Sequence, residues 1–429
     1  MTASTGSRVR AAVAAALVLP LSALGACSDS EGSSGSGAAT TIRVQVSGEP
    51  EETKVYESVA AAFEKANPGK HVQVVAVPEK SDHLARLTTS FASGNPPDVF
   101  LVNFREYTQF VARGSVEAVG PRLEKAGVDL ADYYEQPVEA FTYRGALQCM
   151  PQNISSLVVY VNRQVFADAG AAEPAAGWSW DDFARTAAQL TRGDVRGAGI
   201  DASLIRLAPF VWSAGGEVVD DLEQPTRLTL DEPRAREAVS DIVELVRSGA
   251  VPTEEEIAAQ DLQTRFVTGK LGMLLSSRRE VPALREVDGL DFDVAPVPVR
   301  DRPATILHSD AYCMARGSEA EDLATEFIAF ATAERGQTLT ALGGRTVPSL
   351  KSVAASPAFL RPDQLPRHSQ VFLDGIPAIR RTPVIPQWPE IEDVAEEQMT
   401  RAFYEPGASL DEVLAELDRR TRPIFARGQ

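Results

Sequence analysis

The sequence predicts an α/β protein built from two domains. Residues 41–102 alternate strand-like and helix-like segments in the order β-α-β-α-β, which is typical of a mostly parallel sheet covered by helices. A second alternation of strands and helices runs from residue 157 to residue 294. The roughly 390 residues behind the N-terminal segment are too many for one ordinary hydrophobic core and fit two domains.

The first unit opens with an alternating strand at residues 41–46. The following helix has one apolar face, formed by Val55, Tyr56, Val59, Ala62 and Phe63. An Asn-Pro-Gly turn ends it, and further segments are predicted as a strand at 71–77, a helix at 84–91 and a strand at 98–102. Ligands of such sheets bind beyond the carboxyl ends of the strands, so residues 47–49 and 103–106 are expected there.

The second unit has the same alternating character. Its predicted elements are a strand at 157–161, helices at 180–191, 234–248 and 262–268, and strands at 271–275 and 292–294. Helical patterns recur at residues 319–332 and 410–420. Ser179 is expected to cap the helix at Trp180, with Asp181 and Asp182 favourably placed near its N-terminal dipole.

The N-terminus has the order of a bacterial lipoprotein signal peptide. Arg8 and Arg10 precede an apolar stretch at residues 11–24, and Gly25 and Ala26 precede Cys27. The apolar stretch is shorter than the roughly 20 residues of a membrane-spanning helix. We therefore expect residues 1–26 to be removed and Cys27 to be lipidated, including a palmitate chain. Residues 27–39 form a Gly/Ser tether.

Charge and cysteine usage narrow the function. Removal of residues 1–26 leaves 40 basic and 60 acidic residues, a net charge of −20. This balance excludes a nucleic-acid partner and disfavours a highly anionic ligand. The four histidines are scattered and no zinc-type cysteine spacing occurs, so we expect no metal and no cofactor. Cys149 and Cys313 remain, either as a disulfide or as two buried free thiols.

Several phrases of the chain resemble one known family. They are NPG at residues 67–69, GNPPDV at 94–99, PQNISSLVVYVN at 151–162, WSWDDF at 178–183, FVTGKLGM at 266–273 and GGRTVP at 343–348. In this order they resemble the extracellular solute-binding proteins of family 1, the carbohydrate receptors of ABC importers, which are similar to maltose-binding protein. Each phrase also has a structural explanation as turn or cap chemistry.

The resemblance implies two discontinuous α/β lobes joined by hinge strands, the type II periplasmic-binding-protein fold. Lobe one is expected to comprise residues 40–149 and 311–352, and lobe two residues 150–310 and 353–429. The crossing strands are expected at residues 148–153 and 309–314. Because this places Cys149 and Cys313 on neighbouring strands, the resemblance also favours a disulfide between them.

The function implied is that of a monomeric receptor, not an enzyme. It is expected to sit lipid-anchored on the outer face of the cytoplasmic membrane, bind a sugar or oligosaccharide between its lobes and deliver it to the transmembrane subunits of an ABC permease. A surface glycoside hydrolase with two carboxylates remains an alternative, because their spacing is three-dimensional. A receptor of the same fold for a non-sugar solute is a further alternative.

A sugar pocket needs polar groups around the ring edge and aromatic rings against its faces. The candidate ligand-binding residues are Glu49, Asn103, Asn153, Trp212, Arg279, His308, Asp310, Arg345 and Trp388. Both tryptophans lie in stretches that read as loops, with burial in the core as the alternative. Arg279 stands where the family often has an aromatic residue. The alternative to a ligand-binding role for Arg279 is that Arg278 and Arg279 form a solvated surface pair. The alternative for His308 and Asp310 is that they form a structural hydrogen-bonded pair at the hinge.

Overall fold

The computed structural model describes residues 39–427, so the predicted signal peptide, Cys27 and all but the last residue of the tether lie outside the described residues. The strands are β1 Thr41–Ser47, β2 His71–Val77, β3 Val99–Asn103, β4 Val116–Glu117, β5 Thr142–Tyr143, β6 Ala146–Leu147, β7 Cys149–Pro151, β8 Asn153–Ile154, β9 Val158–Asn162, β10 Arg196–Gly199, β11 Leu271–Ser276, β12 Phe292–Ala295, β13 Thr305–Ile306, β14 Asp310–Ala315, β15 Val347–Pro348 and β16 Ile379–Arg380.

The predicted alternation of strands and helices is present from β1 to β3, whereas later strands and helices also follow one another in runs. The helices are α1 Pro50–Ala66, α2 Lys80–Ala92, α3 Phe104–Ala112, α4 Gly120–Lys125, α5 Glu135–Ala140, α6 Arg163–Ala169, α7 Trp180–Leu190, α8 Leu204–Ser213, α9 Pro233–Leu245, α10 Glu254–Ala259, α11 Leu262–Val267, α12 Val281–Arg285, α13 Glu321–Thr332, α14 Glu334–Gly343, α15 Lys351–Ala354, α16 Pro357–Leu360, α17 Val371–Asp374, α18 Trp388–Tyr404 and α19 Leu410–Ala426. Within residues 39–427, no helix has both the length and the apolar character needed to cross a membrane.

The first sheet is mixed, which corrects the prediction of a mostly parallel sheet. Its order is β2-β1-β3-β14-β4, with β7 also paired to β14. The three N-terminal strands are parallel, as the β-α-β-α-β order predicts. β14 lies antiparallel to β3, β4 and β7. The reason is that β14 brings the chain back from the second lobe and is not joined to β3 by a helical crossover.

The second sheet has the order β10-β11-β9-β12. Only its β10–β11 pair is parallel, since β9 runs antiparallel to both of its neighbours. A hydrophobic core that includes Phe183, Ile242 and Leu417 surrounds this sheet, and α18 and α19 pack into it. The molecule is therefore an α/β protein of two lobes, with a sheet in each.

Local sequence explains the helix boundaries. The side chain of Ser179 accepts a hydrogen bond from the backbone of Asp182, whose carboxylate in turn accepts from the backbone of Ser179, which forms a capping box at the start of α7. Pro50 occupies the first turn of α1, where the absent N–H has no helical partner to lose. Gly269 adopts a φ of 72° just after α11, a conformation that favours glycine.

The strands β7 and β14 connect the two lobes side by side. They pair antiparallel with Cys313 opposite Cys149, and the Cα atoms of these two residues are 4.3 Å apart. Antiparallel neighbours at this separation suit a disulfide, and the structure contains one between the two cysteines. Both residues are fully buried.

Candidate functional site

A cleft of about 600 Å³ lies where the two lobes meet. Its walls are formed by the carboxyl ends of β1 and β3, the crossing strands, the first turn of α8 and the segment that follows β11. Seven of the nine predicted ligand-binding residues line it, namely Glu49, Asn103, Asn153, Arg279, His308, Asp310 and Arg345. The cleft therefore lies at the edge of the first sheet where the topological rule expects ligands to bind.

Asp310 is the centre of a hydrogen-bonded group on the floor of the cleft. The side-chain amides of Asn103 and Asn153 each donate to a different oxygen of its carboxylate, both at 3.1 Å. The backbone N–H of Asp310 donates to Oδ1 of Asn153, also at 3.1 Å. The three side chains come from β14, β3 and β8, so strand packing fixes their mutual positions. This group presents carboxylate and amide oxygens to the cleft as acceptors.

A chain of contacts connects this group to the second lobe. Arg105 Nε donates to Asn103 Oδ1 at 3.2 Å, and Arg105 Nη1 donates to Glu392 Oε2 at 2.7 Å. Glu392 Oε1 accepts from the indole Nε1 of Trp388 at 2.9 Å. Burial disfavours the charged guanidinium of Arg105, but the carboxylates of Glu392 and Glu106 outweigh it and raise its pKa. The ion pair joins α3 of one lobe to α18 of the other.

The wall formed by α1 carries a second ion pair. Arg345 Nε lies 2.9 Å from Glu52 Oε2, and the hydroxyl of Tyr56 donates to Glu52 Oε1 at 2.9 Å. Burial raises the pKa of Glu52 above its ordinary value, and the charge of Arg345 offsets part of that effect. A Cβ on Gly48 would stand 2.6 Å from this carboxylate, so a larger residue there would displace the Glu52 side chain.

His308 occupies the crossing segment opposite Ser155. The backbone N–H of each donates to the carbonyl of the other, at 2.9 and 2.7 Å. Burial, together with the charges of Arg206 and Arg105, lowers the pKa of His308 well below its ordinary value. The imidazole is therefore neutral near pH 7. The alternative, in which His308 pairs with Asp310, does not hold, because the carboxylate of Asp310 accepts from two asparagines instead.

The structure corrects the prediction for both tryptophans. Trp212 and Trp388 are 2% and 0% exposed and lie in the core of the second lobe, not in the cleft. Both belong to helices, α8 and α18, where the sequence reads as loop. Trp388 is the first residue of a buried helical face, and the guanidinium of Arg380 lies 4.9 Å from the centre of the Trp212 ring. Neither ring can stack on a ligand in the cleft.

Of the two neighbouring arginines after β11, Arg278 is buried and Arg279 is exposed, so they are not a solvated surface pair. Arg278 is fully buried, with its guanidinium 4.6 Å from the ring centre of Phe359 and its Nε donating to the carbonyl of Gly344 at 3.0 Å. Burial lowers its pKa to about 9. Arg279 keeps a side chain that is 64% exposed, pairs with Glu280 and lines the cleft.

Sequence reasoning missed several residues that line the cleft or support it. They are Glu52, Tyr56, Arg105, Ser155, Arg206 and Glu392. Arg105 falls within the predicted segment 103–106, so topology contained a signal for it. Arg206 has no comparable signal, because it stands in the first turn of an apolar helix and is 91% buried by tertiary packing.

The chemistry of the cleft is that of a binding site. In the part of the chain that the structure describes, no group of three or more His, Cys, Asp or Glu side chains is arranged to hold a metal ion. Two lobes that enclose a polar cleft at a hinge define the class of ligand-binding receptors that open and close around a solute.

The family is shown by comparison with known proteins. Residues 58–366 match the model of a family described as bacterial extracellular solute-binding protein, and the chain belongs to that family. It is a binding protein and not an enzyme. A binding protein of Brucella abortus is 25% identical over 380 residues, which cover 85% of this chain and 89% of that protein.

Two further similarities concern proteins with a stated ligand. The diacetylchitobiose binding protein DasA of Streptomyces coelicolor is 22% identical over 325 residues, which cover 72% of each chain. The substrate-binding protein Lmo0181 of Listeria monocytogenes, solved in complex with cycloalternan, superposes with a TM-score of 0.83 at 20% identity and covers 90% of this chain and 99% of that one. This similarity establishes the type II fold of two α/β lobes.

Proposed function

We propose that this protein is a receptor that binds a sugar or oligosaccharide in the cleft between its lobes and delivers it to an ABC importer. The observation that carries the proposal is the cleft itself, in which carboxylates, amides and guanidinium groups converge around a volume of about 600 Å³. Relatives that bind diacetylchitobiose and cycloalternan support a saccharide ligand. We assign lobe one to residues 40–149 and 311–352, and lobe two to residues 150–310 and 353–429.

The polar groups suit the hydroxyls of a saccharide. A hydroxyl can donate to Asp310, whose carboxylate keeps acceptor capacity beyond the two amide contacts. Arg279 and Arg345 supply donors from opposite walls. A hydrogen bond to a charged group contributes about 1.5 to 3 kcal/mol, so a few of them are enough for micromolar binding.

Ligand binding is coupled to closure of the lobes. Asn103 and Glu52 belong to the first lobe, whereas Arg206 and Arg279 belong to the second, so a ligand touches all of them only when the lobes are together. A ligand that prefers the closed state shifts the population towards it. The β7 and β14 strands supply the hinge, and a closed receptor presents a defined surface to the permease.

Anchoring depends on Cys27, which precedes the described residues. Acyl chains on the processed cysteine hold the receptor, as a monomer, at the outer face of the cytoplasmic membrane, since two or more chains are needed for stable attachment. A Cys27→Ala variant is expected in the soluble fraction after cell fractionation, with Ser28→Ala as the control that stays in the membrane fraction. Retention of Cys27→Ala in the membrane with signal cleavage intact contradicts the anchor.

Calorimetry and thermal unfolding with a panel of mono- and oligosaccharides test the ligand class. A true ligand at 100 times its Kd raises stability by about 2.7 kcal/mol. Asp310→Asn is expected to weaken binding by about tenfold or more, because a charged acceptor is lost. Asp322→Asn removes the same charge from a side chain that is 99% exposed, and binding stays unchanged. If no saccharide shifts the unfolding temperature, the proposal is wrong.

A further inference from the structure

One wall of the cleft holds a buried cation with unsatisfied donors. Arg206 is only 9% exposed, and its Nε and Nη1 atoms are buried with no hydrogen-bond partner among residues 39–427. Its ion-pair partner Asp201 lies 3.2 Å from Nε without hydrogen-bond alignment, and the other oxygen of Asp201 accepts from Ser203. Buried N–H donors without an acceptor lower the stability of the folded state, so a bound ligand that accepts hydrogen bonds from Arg206 would recover that free energy.

Two neutral groups with the same deficit belong to this wall. Ser155 Oγ and His308 Nε2 are buried and have no hydrogen-bond partner among the described residues. The backbone pairing of Ser155 with His308 holds them side by side, and the charge of Arg206 contributes to the lowered pKa of His308. All three residues line the cleft. We call Arg206, Ser155 and His308 the donor wall.

The five cations of the cleft each have a carboxylate nearby. Arg206 lies beside Asp201, and the others form the pairs Lys80–Glu106, Arg105–Glu392, Arg279–Glu280 and Arg345–Glu52. Of these five cations, Arg206 alone has buried nitrogens that lack a hydrogen bond within the described part of the chain. The Nη1 atom of Arg206 can donate to an oxygen of a bound carboxylate or phosphate, and such a charge-assisted hydrogen bond is stronger than one to a neutral hydroxyl.

The cleft also lacks the apolar platforms of a site for neutral sugars. Tyr56 is the only phenyl or indole residue among the described residues that line it, and it is 5% exposed with its hydroxyl directed to Glu52. Recognition must therefore come mainly from hydrogen bonds and charge. The Asp310 group accepts hydroxyl protons, and the donor wall offers the complementary groups to an anion.

We propose that the ligand is a polyhydroxylated molecule with one anionic group, a carboxylate or a phosphate, which binds against Arg206, Ser155 and His308 while its hydroxyls bind the Asp310 group. This inference rests on the proposed function and adds a charged group to the saccharide. The net charge of −20 opposes approach of anions from a distance, but ionic strength screens that field beyond about 8 Å.

Matched pairs of ligands test the inference by calorimetry on the mature protein. The probes are glucose, galactose and digalactose against glucuronate, galacturonate and digalacturonate, together with glycerol against glycerol 3-phosphate and glucose against glucose 6-phosphate. We expect an acidic member to bind at least about tenfold more tightly than its neutral counterpart. Preference for uronates identifies a carboxylate, and preference for phosphate esters identifies a phosphate.

Variants then assign the preference to Arg206. Arg206→Gln is expected to abolish the preference for the acidic member, because the acidic member loses more affinity than its neutral counterpart does. Arg206→Lys keeps the charge but not the planar fork, so it retains part of the preference. Arg185→Gln removes one positive charge from a 70% exposed side chain of the same lobe and leaves the preference intact.

The outcomes separate this inference from the proposed function. If neutral saccharides bind as tightly as acidic ones, or if Arg206→Gln keeps the preference while remaining folded, the anion inference is wrong and the saccharide receptor stands. If neither these probes nor any saccharide of the wider panel binds, both are wrong.

Discussion

Removal of the disulfide between Cys149 and Cys313 tests how the crossing strands hold the two lobes. The bond joins residues separated by 164 positions. In the chain-entropy model, closure of a loop of this length restricts the unfolded chain by about 17 cal/mol/K, which corresponds to about 5 kcal/mol at 25 °C. We expect a Cys149→Ala/Cys313→Ala variant to lose a large part of this stability. The loss is not complete unfolding, because the β-sheet pairing of Met150 with Tyr312 persists without the bond.

The assay is urea unfolding followed by tryptophan fluorescence, on mature protein in which Cys27 is replaced by Ser. Protein with both cysteines is measured in its oxidised and reduced forms, and the double variant is measured once. The reduced form lacks the bond but keeps the buried sulfur atoms, so it separates the effect of the cross-link from the effect of packing. Mass spectrometry after alkylation checks the bond. Two freely alkylated thiols in the oxidised, denatured protein, or equal urea midpoints for oxidised and reduced forms, would refute the reasoning.

Two further changes have definite expected results. Trp388→Ala lowers the free energy of unfolding by about 3 to 5 kcal/mol in urea titrations, because it empties a fully buried site in the second core. Trp388→Phe, the control, lowers it clearly less. A loss of ligand affinity with unchanged stability contradicts the assignment of Trp388 to the core. Hydrogen bonds from the backbone and side chain of Ser179 lower the pKa of Asp182 from 3.8 to about 2. The stability that they supply is therefore full above pH 3.8 and is lost as the pH falls towards 2. The difference in urea midpoint between wild type and Asp182→Asn should shrink over that range, and a constant difference contradicts the linkage.

Much of the fold was predictable because local patterns determine where helices and strands begin and end. The predicted strand at residues 71–77 is β2 to the residue, and the helix predicted from Trp180 begins there behind the Ser179 cap. These boundaries depend on alternation, caps and turns within a few residues, all of which the chain displays locally. The cleft residues on strand ends were predictable for a similar reason, since topology places them.

The wrong predictions concern the burial of side chains, which depends on packing against distant parts of the chain. An indole at the start of α18 looks the same in sequence whether it faces a cleft or a core, and the packing of α18 on α8 and α19 buries Trp388. Arg278 and Arg279 are adjacent and chemically identical, yet the first lies among Phe359 and Phe372 and the second faces the cleft.

The sequence by itself determined the α/β class, the positions of the main strands and helices, and the edge of the first sheet at which the cleft lies. Only the tertiary structure decided the antiparallel direction of β14, the burial of both tryptophans, the Arg105–Glu392 pair across the lobes and the unsatisfied donors of Arg206. The physical reason is the separation along the chain over which each effect acts. Hydrogen-bonded caps and periodic apolar faces involve residues a few positions apart, whereas burial and charge pairing join residues as far apart as Arg105 and Glu392.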